Sequence, residues 1–390
     1  MQKLKELGWN NYFQQHFDLG SEIKEQAEEQ EEGDSAHTSR IPSRVTGAFR
    51  NSYTIRQVDQ GRQGRQNGQG ETRELHAVVS GRFQHEAEVK SDFPVIGDWV
   101  VVTNILGEDK ATIHELLPRQ TELSRHVQSS DQEGASREKQ IMASNVDIVF
   151  IVSSLNLDLN LRRLERYLAM VSESGAQPVI LLTKSDLCSD VDAKAQSMKS
   201  IARTAPVHVV SAHENEGLNH VMPYLFEGQT CVLVGSSGAG KSTLVNWMMG
   251  KELAATKEIR SGDDKGKHTT TIRELYFLPK GGMIIDTPGI RSLQIEDESA
   301  LDDTFDDVAG LKSECRFVDC KHHSEPGCAV LAAIQDGDME EGRLRNYHKL
   351  SKEVAYEERR SDKKSAWKSR QEDKKLSKEI NRIQKVKRSR

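Results

Sequence analysis

The stretch Gly235-Ser236-Ser237-Gly238-Ala239-Gly240-Lys241-Ser242 lies between the apolar run TCVLVG (230–235) and the helical pattern STLVNWMM (242–249). Its glycines let the backbone wrap tightly, so that successive N–H groups can point at phosphate oxygens, and the helix that follows adds a favourable dipole. Lys241 is expected to reach the β- and γ-phosphates and Ser242 to ligate Mg²⁺, with Thr243 next in the same nucleotide-binding set. This segment alone would suit any nucleotide triphosphatase.

The choice of base is written upstream of the phosphate loop. Thr183-Lys184-Ser185-Asp186 follows the run PVILL, and Ser211-Ala212 follows VHVV. A carboxylate at Asp186 can accept from both N1–H and the 2-amino group of guanine. Adenine offers neither donor and would leave a buried charge unpaired. Lys184 is expected to lay its stem over the base, and the Ala212 N–H to serve O6. Downstream, Asp286-Thr287-Pro288-Gly289 follows MIID; Asp286 should hold the metal, usually through water, and the Gly289 N–H should meet the γ-phosphate. Between them, Gly266-Lys267-His268-Thr269-Thr270-Thr271 reads as a switch loop, in which one threonine completes the Mg²⁺ shell; the sequence does not say which.

These are the segments of a guanine-nucleotide-binding domain in an unusual order, with base recognition first and the phosphate sensor last. The domain is therefore read as circularly permuted. The segment after the sensor then leads straight into the C-terminal part of the chain. The residue after Gly289 is Ile290, where many GTPases carry a water-orienting glutamine, so slow intrinsic turnover is expected. His268 is the nearest candidate to position the water, and an exposed loop histidine is the competing reading.

The 390 residues leave room for two or three domains. The runs VDIVFIVSS, PVILLT, VHVVSA, TCVLVG and GMIIDT, with helical patterns such as 161–174 between them, predict a mostly parallel, doubly wound α/β sheet over 145–299. Residues 44–118 alternate apolar and polar positions in five short runs, which suggests a small β-barrel of OB-fold type. Between two of those runs, 60–70 is a Gly/Gln-rich loop. Residues 119–144 read as a polar linker, and 300–350 as a mostly helical domain.

Charge is distributed unevenly. Residues 1–40 hold four Lys/Arg against nine Asp/Glu, whereas 351–390 hold fifteen against seven. The first 43 residues read as an acidic extension, and 351–390 as a basic tail with an apolar stripe at Leu376, Ile380 and Ile383. No apolar run is long enough to span a bilayer and the N-terminus lacks a signal-peptide core, so a cytoplasmic protein is expected.

Three of the five cysteines fall together as Cys315-x4-Cys320-x-His322-x5-Cys328. Three thiolates and one imidazole within fourteen residues form a closed set suited to one structural Zn²⁺, although His323 adjoins His322. Cys188 and Cys231 read as buried or incidental thiols.

Taken together, the barrel ahead of a permuted GTPase, GKHTTT, DTPGIR and CRFVDCKHHSEPGCAV resemble the bacterial small-subunit-dependent GTPase family known as RsgA or YjeQ, over roughly 44–350. The resemblance implies an OB-fold, a permuted G domain and a zinc-bound helical domain that dock on the small (30S) ribosomal subunit and its rRNA late in maturation. It also implies GTP hydrolysis to GDP stimulated by that subunit, with His268 at the position proposed for catalysis. A monomer without membrane partners is expected. The acidic N-terminus, the Gly/Gln-rich loop and the basic tail exceed the family pattern. The competing reading is a GTP-controlled RNA-binding module in which hydrolysis is incidental.

Overall fold

A computed structural model describes residues 2–28, 40–49, 52–58, 71–105, 108–128, 137–156, 159–202, 204–250, 273–286 and 298–355. The chain forms two compact units, Met1–Val127 with Glu138–Gln294, and Gln128–Arg137 with Ile295–Arg390. The Gly/Gln-rich loop at 60–70 and the tail stripe at Leu376, Ile380 and Ile383 lie outside the described residues.

In the first unit, strands β1 (Ile41–Ala48), β2 (Tyr53–Val58), β3 (Thr72–Val79), β4 (Trp99–Asn104) and β5 (Lys110–Leu116) are paired in the order 1-2-3-5-4, and β1 also pairs with β4. That closure, with β3 and β5 parallel, makes the five-stranded OB-type barrel expected from the alternation. Inward residues Val45, Ile55, Leu75, Val100, Val102 and Ile113 fill it.

The expected linker at 119–144 is instead largely a pair of strands, β6 (Glu122–Gln128) and β7 (Arg137–Ser144). Their outward positions are polar, with Lys139 paired to Glu122 at 2.5 Å and Arg125 donating to Gln140 at 3.0 Å. Leu123, Ile141, Met142 and Ala143 are buried. Composition averaged over the segment hides this two-faced pattern.

The nucleotide-binding sheet contains β8 (Ile148–Ser154), β9 (Gln177–Thr183), β10 (Val207–Val209), β11 (Thr230–Gly235), β12 (Arg273–Phe277) and β13 (Met283–Asp286), in the order 10-9-8-11-13-12. All are parallel to their neighbours except β12. The permutation exchanges two continuous halves, β8 to β10 and β11 to β13, on either side of the β8–β11 pairing. Exchanging whole halves leaves sheet neighbours untouched, so the reordered chain still builds one core. Strand β12 is absent from the apolar runs of the sequence, because RELYF is short and mixed. It pairs with β13 on one edge and with barrel strand β1 on the other, opposite Gly47 and Ala48, so barrel and nucleotide sheet are continuous.

Residues 2–28 form two helices whose apolar side chains pack against the barrel. Helices α1 (Gln2–Glu6) and α2 (Asn11–Glu28) bring Leu7, Trp9 and Phe13 into a cluster with Trp99, Val101 and Leu117. The Trp9 and Trp99 rings meet edge to face at 4.6 Å. The acidic residues that made the region read as an extension are concentrated after residue 20, while Leu4, Leu7, Trp9, Tyr12, Phe13 and Phe17 precede them.

Arg44 of β1, 1 % exposed, ties these parts together. It donates to Leu7 O at 2.9 Å, to Asn145 O at 3.0 Å and to Thr230 Oγ1 at 3.1 Å, and its guanidinium lies over the Trp99 ring. Burial pushes its pKa down to about 10, which still leaves it charged at neutral pH. Arg44→Ala would strand three acceptors and open a void, so a loss of about 3 kcal/mol is expected in denaturant unfolding. An unchanged midpoint would show the three contacts to be dispensable.

In the second unit, helices 298–304, 306–312, 329–336 and 341–355 pack Leu301, Phe305, Val308, Val330, Leu344 and Leu350 into a small core. Arg343 clamps it, donating to Asp307 Oδ2 at 2.5 Å and Thr304 O at 2.9 Å while lying over the Phe305 ring.

Candidate functional site

The predicted phosphate loop leaves β11 at Gly235 and enters a helix at Lys241–Met249. Gly235 has φ 143°, and a Cβ there would stand 2.2 Å from the carbonyl oxygen of Val152 on β8; only glycine fits. Gly238 and Gly240 also have positive φ. Lys241 curls over its own loop, donating to the Gly235 carbonyl at 2.8 Å and to that of Ser236. Ser242 and Thr243 continue the first helical turn, and Ala239 is buried beneath the loop.

The residues expected to read the base stand at the ends of β9 and β10, on the β8 side of the predicted phosphate loop. Lys184 adopts a left-handed φ of 59°, unusual for a side chain with a Cβ, and starts the short turn Ser185–Leu187 that carries Asp186. The fully buried Ser211 donates from Oγ to Asp186 Oδ1 at 2.6 Å and accepts from the Glu214 N–H at 3.1 Å. This fixes one carboxylate oxygen and leaves the rotamer defined. Ala212 follows, packed against the nucleotide-domain core. The buried Thr183 donates to Ala239 O at 2.5 Å and so joins the segment expected to read the base to the predicted phosphate loop. Fifty-six residues separate that pair, and no local pattern announces it.

Asp186→Asn exchanges an acceptor for an amide donor. Affinity for GTP should fall and affinity for xanthosine triphosphate should rise, by about tenfold or more in each direction, because one good hydrogen-bond pair is lost or gained on the base edge. Equal GTP affinity of wild type and variant in an equilibrium titration would refute the assignment.

Asp286 ends β13, the parallel neighbour of the phosphate-loop strand. Its carboxylate and the Ser242 hydroxyl are hard oxygen donors of the kind Mg²⁺ takes. Gly289, Ile290, His268 and Thr269 to Thr271 lie outside the described residues. The residues described gather at the carboxyl ends of parallel strands, where open α/β sheets bind their ligands.

In the second unit, one ligand atom from each of Cys315, Cys320, His322 and Cys328 lies within 4.8 Å of all the others. The Cys315 and Cys328 sulfurs are 3.9 Å apart, and His322 Nδ1 is 3.6 Å from the first and 3.3 Å from the second. Tetrahedral Zn²⁺, with Zn–S of about 2.3 Å and Zn–N of about 2.0 Å, needs S···S edges of about 3.8 Å and S···N edges of about 3.5 Å. The donor set fits. Burial first, and the nearby His348 and Lys312 next, lower the His322 pKa and favour the neutral imidazole that binds metal. His323 is exposed and stacks on His348 instead. Of the remaining thiols, Cys231 is buried and Cys188 half-buried beside Lys194.

A glycine-rich loop between the halves of a permuted parallel sheet, with Asp186 on one side and Asp286 on the other, is the arrangement of a circularly permuted GTPase. Comparison with known proteins agrees: residues 116–296 match the RsgA GTPase family model. The chain is 46% identical over 303 residues to small ribosomal subunit biogenesis GTPase RsgA 1 of Oceanobacillus iheyensis, covering 77% of this chain and 85% of that one. It is 39% identical to small ribosomal subunit biogenesis GTPase RsgA of Syntrophotalea carbinolica over 90% of both. In fold it is similar to YjeQ from Thermotoga maritima (TM-score 0.58, 23% identity, 81% of this chain and 99% of that one). It is likewise similar to YloQ, described as a circularly permuted GTPase (TM-score 0.58, 24% identity, 83% and 98%). The chain belongs to the RsgA GTPase family and is a GTP-hydrolysing enzyme. Among the described residues, no helix is long and apolar enough to cross a membrane.

Proposed function

We propose that this GTPase binds the small (30S) ribosomal subunit, assists its late maturation in the cytoplasm, and hydrolyses GTP to GDP and phosphate under stimulation by that subunit. The observation that carries this reading is the shared extent of the chain with relatives named for small-subunit biogenesis, 90% of both chains in the Syntrophotalea carbinolica case. The barrel, permuted nucleotide domain and four-ligand knuckle fall in the order that reading requires.

In this reading Asp186 and Ser211 select guanine, Lys184 and Ala212 complete the base pocket, and the loop Gly235 to Gly240 cradles the phosphates. Lys241 neutralises charge developing on the β- and γ-phosphates, and the Gly289 N–H meets the γ-phosphate. Ser242 and Asp286 hold Mg²⁺, which when bound supplies further charge neutralisation. His268 positions the attacking water in place of the glutamine that Ile290 displaces. Cys315, Cys320, His322 and Cys328 hold one structural Zn²⁺. The chain acts as a monomer.

Steady-state turnover measured while titrating purified 30S subunits tests the central claim. The expected result is a slow basal rate that rises at least about a hundredfold at saturation, equivalent to about 3 kcal/mol of added transition-state stabilisation. Saturable binding with an unchanged rate would favour the RNA-binding module with incidental hydrolysis, and equal stimulation by 50S subunits would refute the partner.

A further inference from the structure

Among the ligands of the knuckle, His322 is held in an unfavourable backbone state. Its φ is +56°, left-handed, a conformation uncommon for residues that carry a Cβ. The flanking backbone supplies the reason it persists. The N–H of Lys321 donates to Glu325 Oε1 at 3.2 Å, and those of His323 and Ser324 donate to Glu325 Oε2 at 2.8 Å and 3.0 Å. Three amides on either side of the ligand thus converge on one carboxylate. This is the geometry of a backbone anion nest, with the anion supplied by the chain itself.

Glu325 is no ligand of the cluster: the four ligand atoms are three sulfurs and one ring nitrogen. Nor does an ion pair account for its place, because its partners are amides. We propose that Glu325 is a positioning residue of the metal centre, its carboxylate holding the 321–324 turn in the conformation that aims His322 Nδ1 at the cysteine sulfurs. The inference rests on the reading of Cys315, Cys320, His322 and Cys328 as a metal site. The amides hold the Glu325 carboxyl down at about 2, so the anchor is ionised throughout the physiological range. The next two residues, Pro326 and Gly327, turn the chain back, and Gly327 O accepts from Arg316 N at 3.0 Å to close the loop. The turn thus fixes through backbone hydrogen bonds where the imidazole points, as supporting groups around metal ligands do.

The test uses the full-length protein loaded with Co²⁺, whose visible d–d bands report the ligand set. Glu325→Ala, Glu325→Gln and His322→Ala are compared with wild type, with affinity measured by competition against a chelator of known strength. E325A is expected to weaken Co²⁺ binding by about tenfold or more, as supporting groups of metal sites do. At saturating metal its bands should move toward those of H322A. E325Q retains one carbonyl acceptor for the amides and should fall between, with bands near wild type. Wild-type affinity in E325A, or a weakened affinity with wild-type bands, would overturn the positioning role, the latter by revealing general destabilisation. A wild-type protein that takes up neither Co²⁺ nor Zn²⁺ would remove the metal reading itself, which sets that failure apart.

Discussion

Lys241→Ala should lower subunit-stimulated GTP turnover by about a thousandfold or more, the largest single effect expected in the protein. The ammonium lies over the loop formed by Gly235 to Gly240, held there by the loop's own carbonyls. In the role proposed for it at the β/γ bridge, that positive charge would act on charge that grows during phosphoryl transfer. Its removal is worth about 4 kcal/mol, which is that thousandfold. The fold should survive, since Lys241 is half-buried and contributes nothing to the apolar core. Lys241→Arg should not restore the rate, because a planar fork cannot occupy the space of a compact ammonium. Single-turnover assays with the enzyme in excess separate loss of chemistry from loss of binding. Turnover within tenfold of wild type would show that this loop is not the phosphate site.

Cys328→Ser should unfold the second unit and leave nucleotide binding by the first intact. The Cys328 sulfur belongs to the four-ligand set and also accepts from the Leu331 N–H at 3.5 Å, capping the helix Ala329–Asp336. A structural Zn²⁺ contributes on the order of 10 kcal/mol of folding free energy, more than a four-helix core this small can replace. Metal analysis of wild type should give one zinc per chain, and the variant close to none. Cooperative unfolding of the second unit should disappear and proteolysis should begin within 298–355, while GDP affinity stays within about twofold. The nucleotide residues belong to a different core, made by Ile148, Phe150, Val179, Leu233 and Leu244. Loss of nucleotide binding in step with zinc would contradict that independence.

Strand β12 gives the nucleotide site a mechanical neighbour that the motifs do not mention. It follows directly on the predicted switch segment and is hydrogen-bonded between the strand bearing Asp286 and the first barrel strand. Glu274 sits opposite Asp286 on one side and Gly47 on the other. Arg56 of the barrel lies 4.2 Å over the Phe277 ring, which reinforces the same seam. A shift of β12 strains one of the two ladders, so barrel and nucleotide sheet are coupled through backbone hydrogen bonds as well as through side chains.

The family and the fold class of this protein were legible in its sequence because phosphate loops, base-reading tetrapeptides and thiolate clusters are short, and each obeys local geometric demands. A glycine is needed where β11 passes within reach of the Val152 carbonyl, a carboxylate where a guanine would present two donors, and a cluster of three thiols and an imidazole where a metal ion would be enclosed. The order of those segments along the chain is itself the mark of the permutation. The tertiary structure alone decided features that rest on pairings between distant residues. Thr183 reaches Ala239, β12 reaches β1, Arg44 gathers Leu7, Asn145 and Thr230, and the apolar N-terminus folds onto Trp99. Such contacts leave no periodic trace in either partner segment. They arise only when chain topology brings buried donors within hydrogen-bond reach of acceptors that would otherwise be left without water or partner.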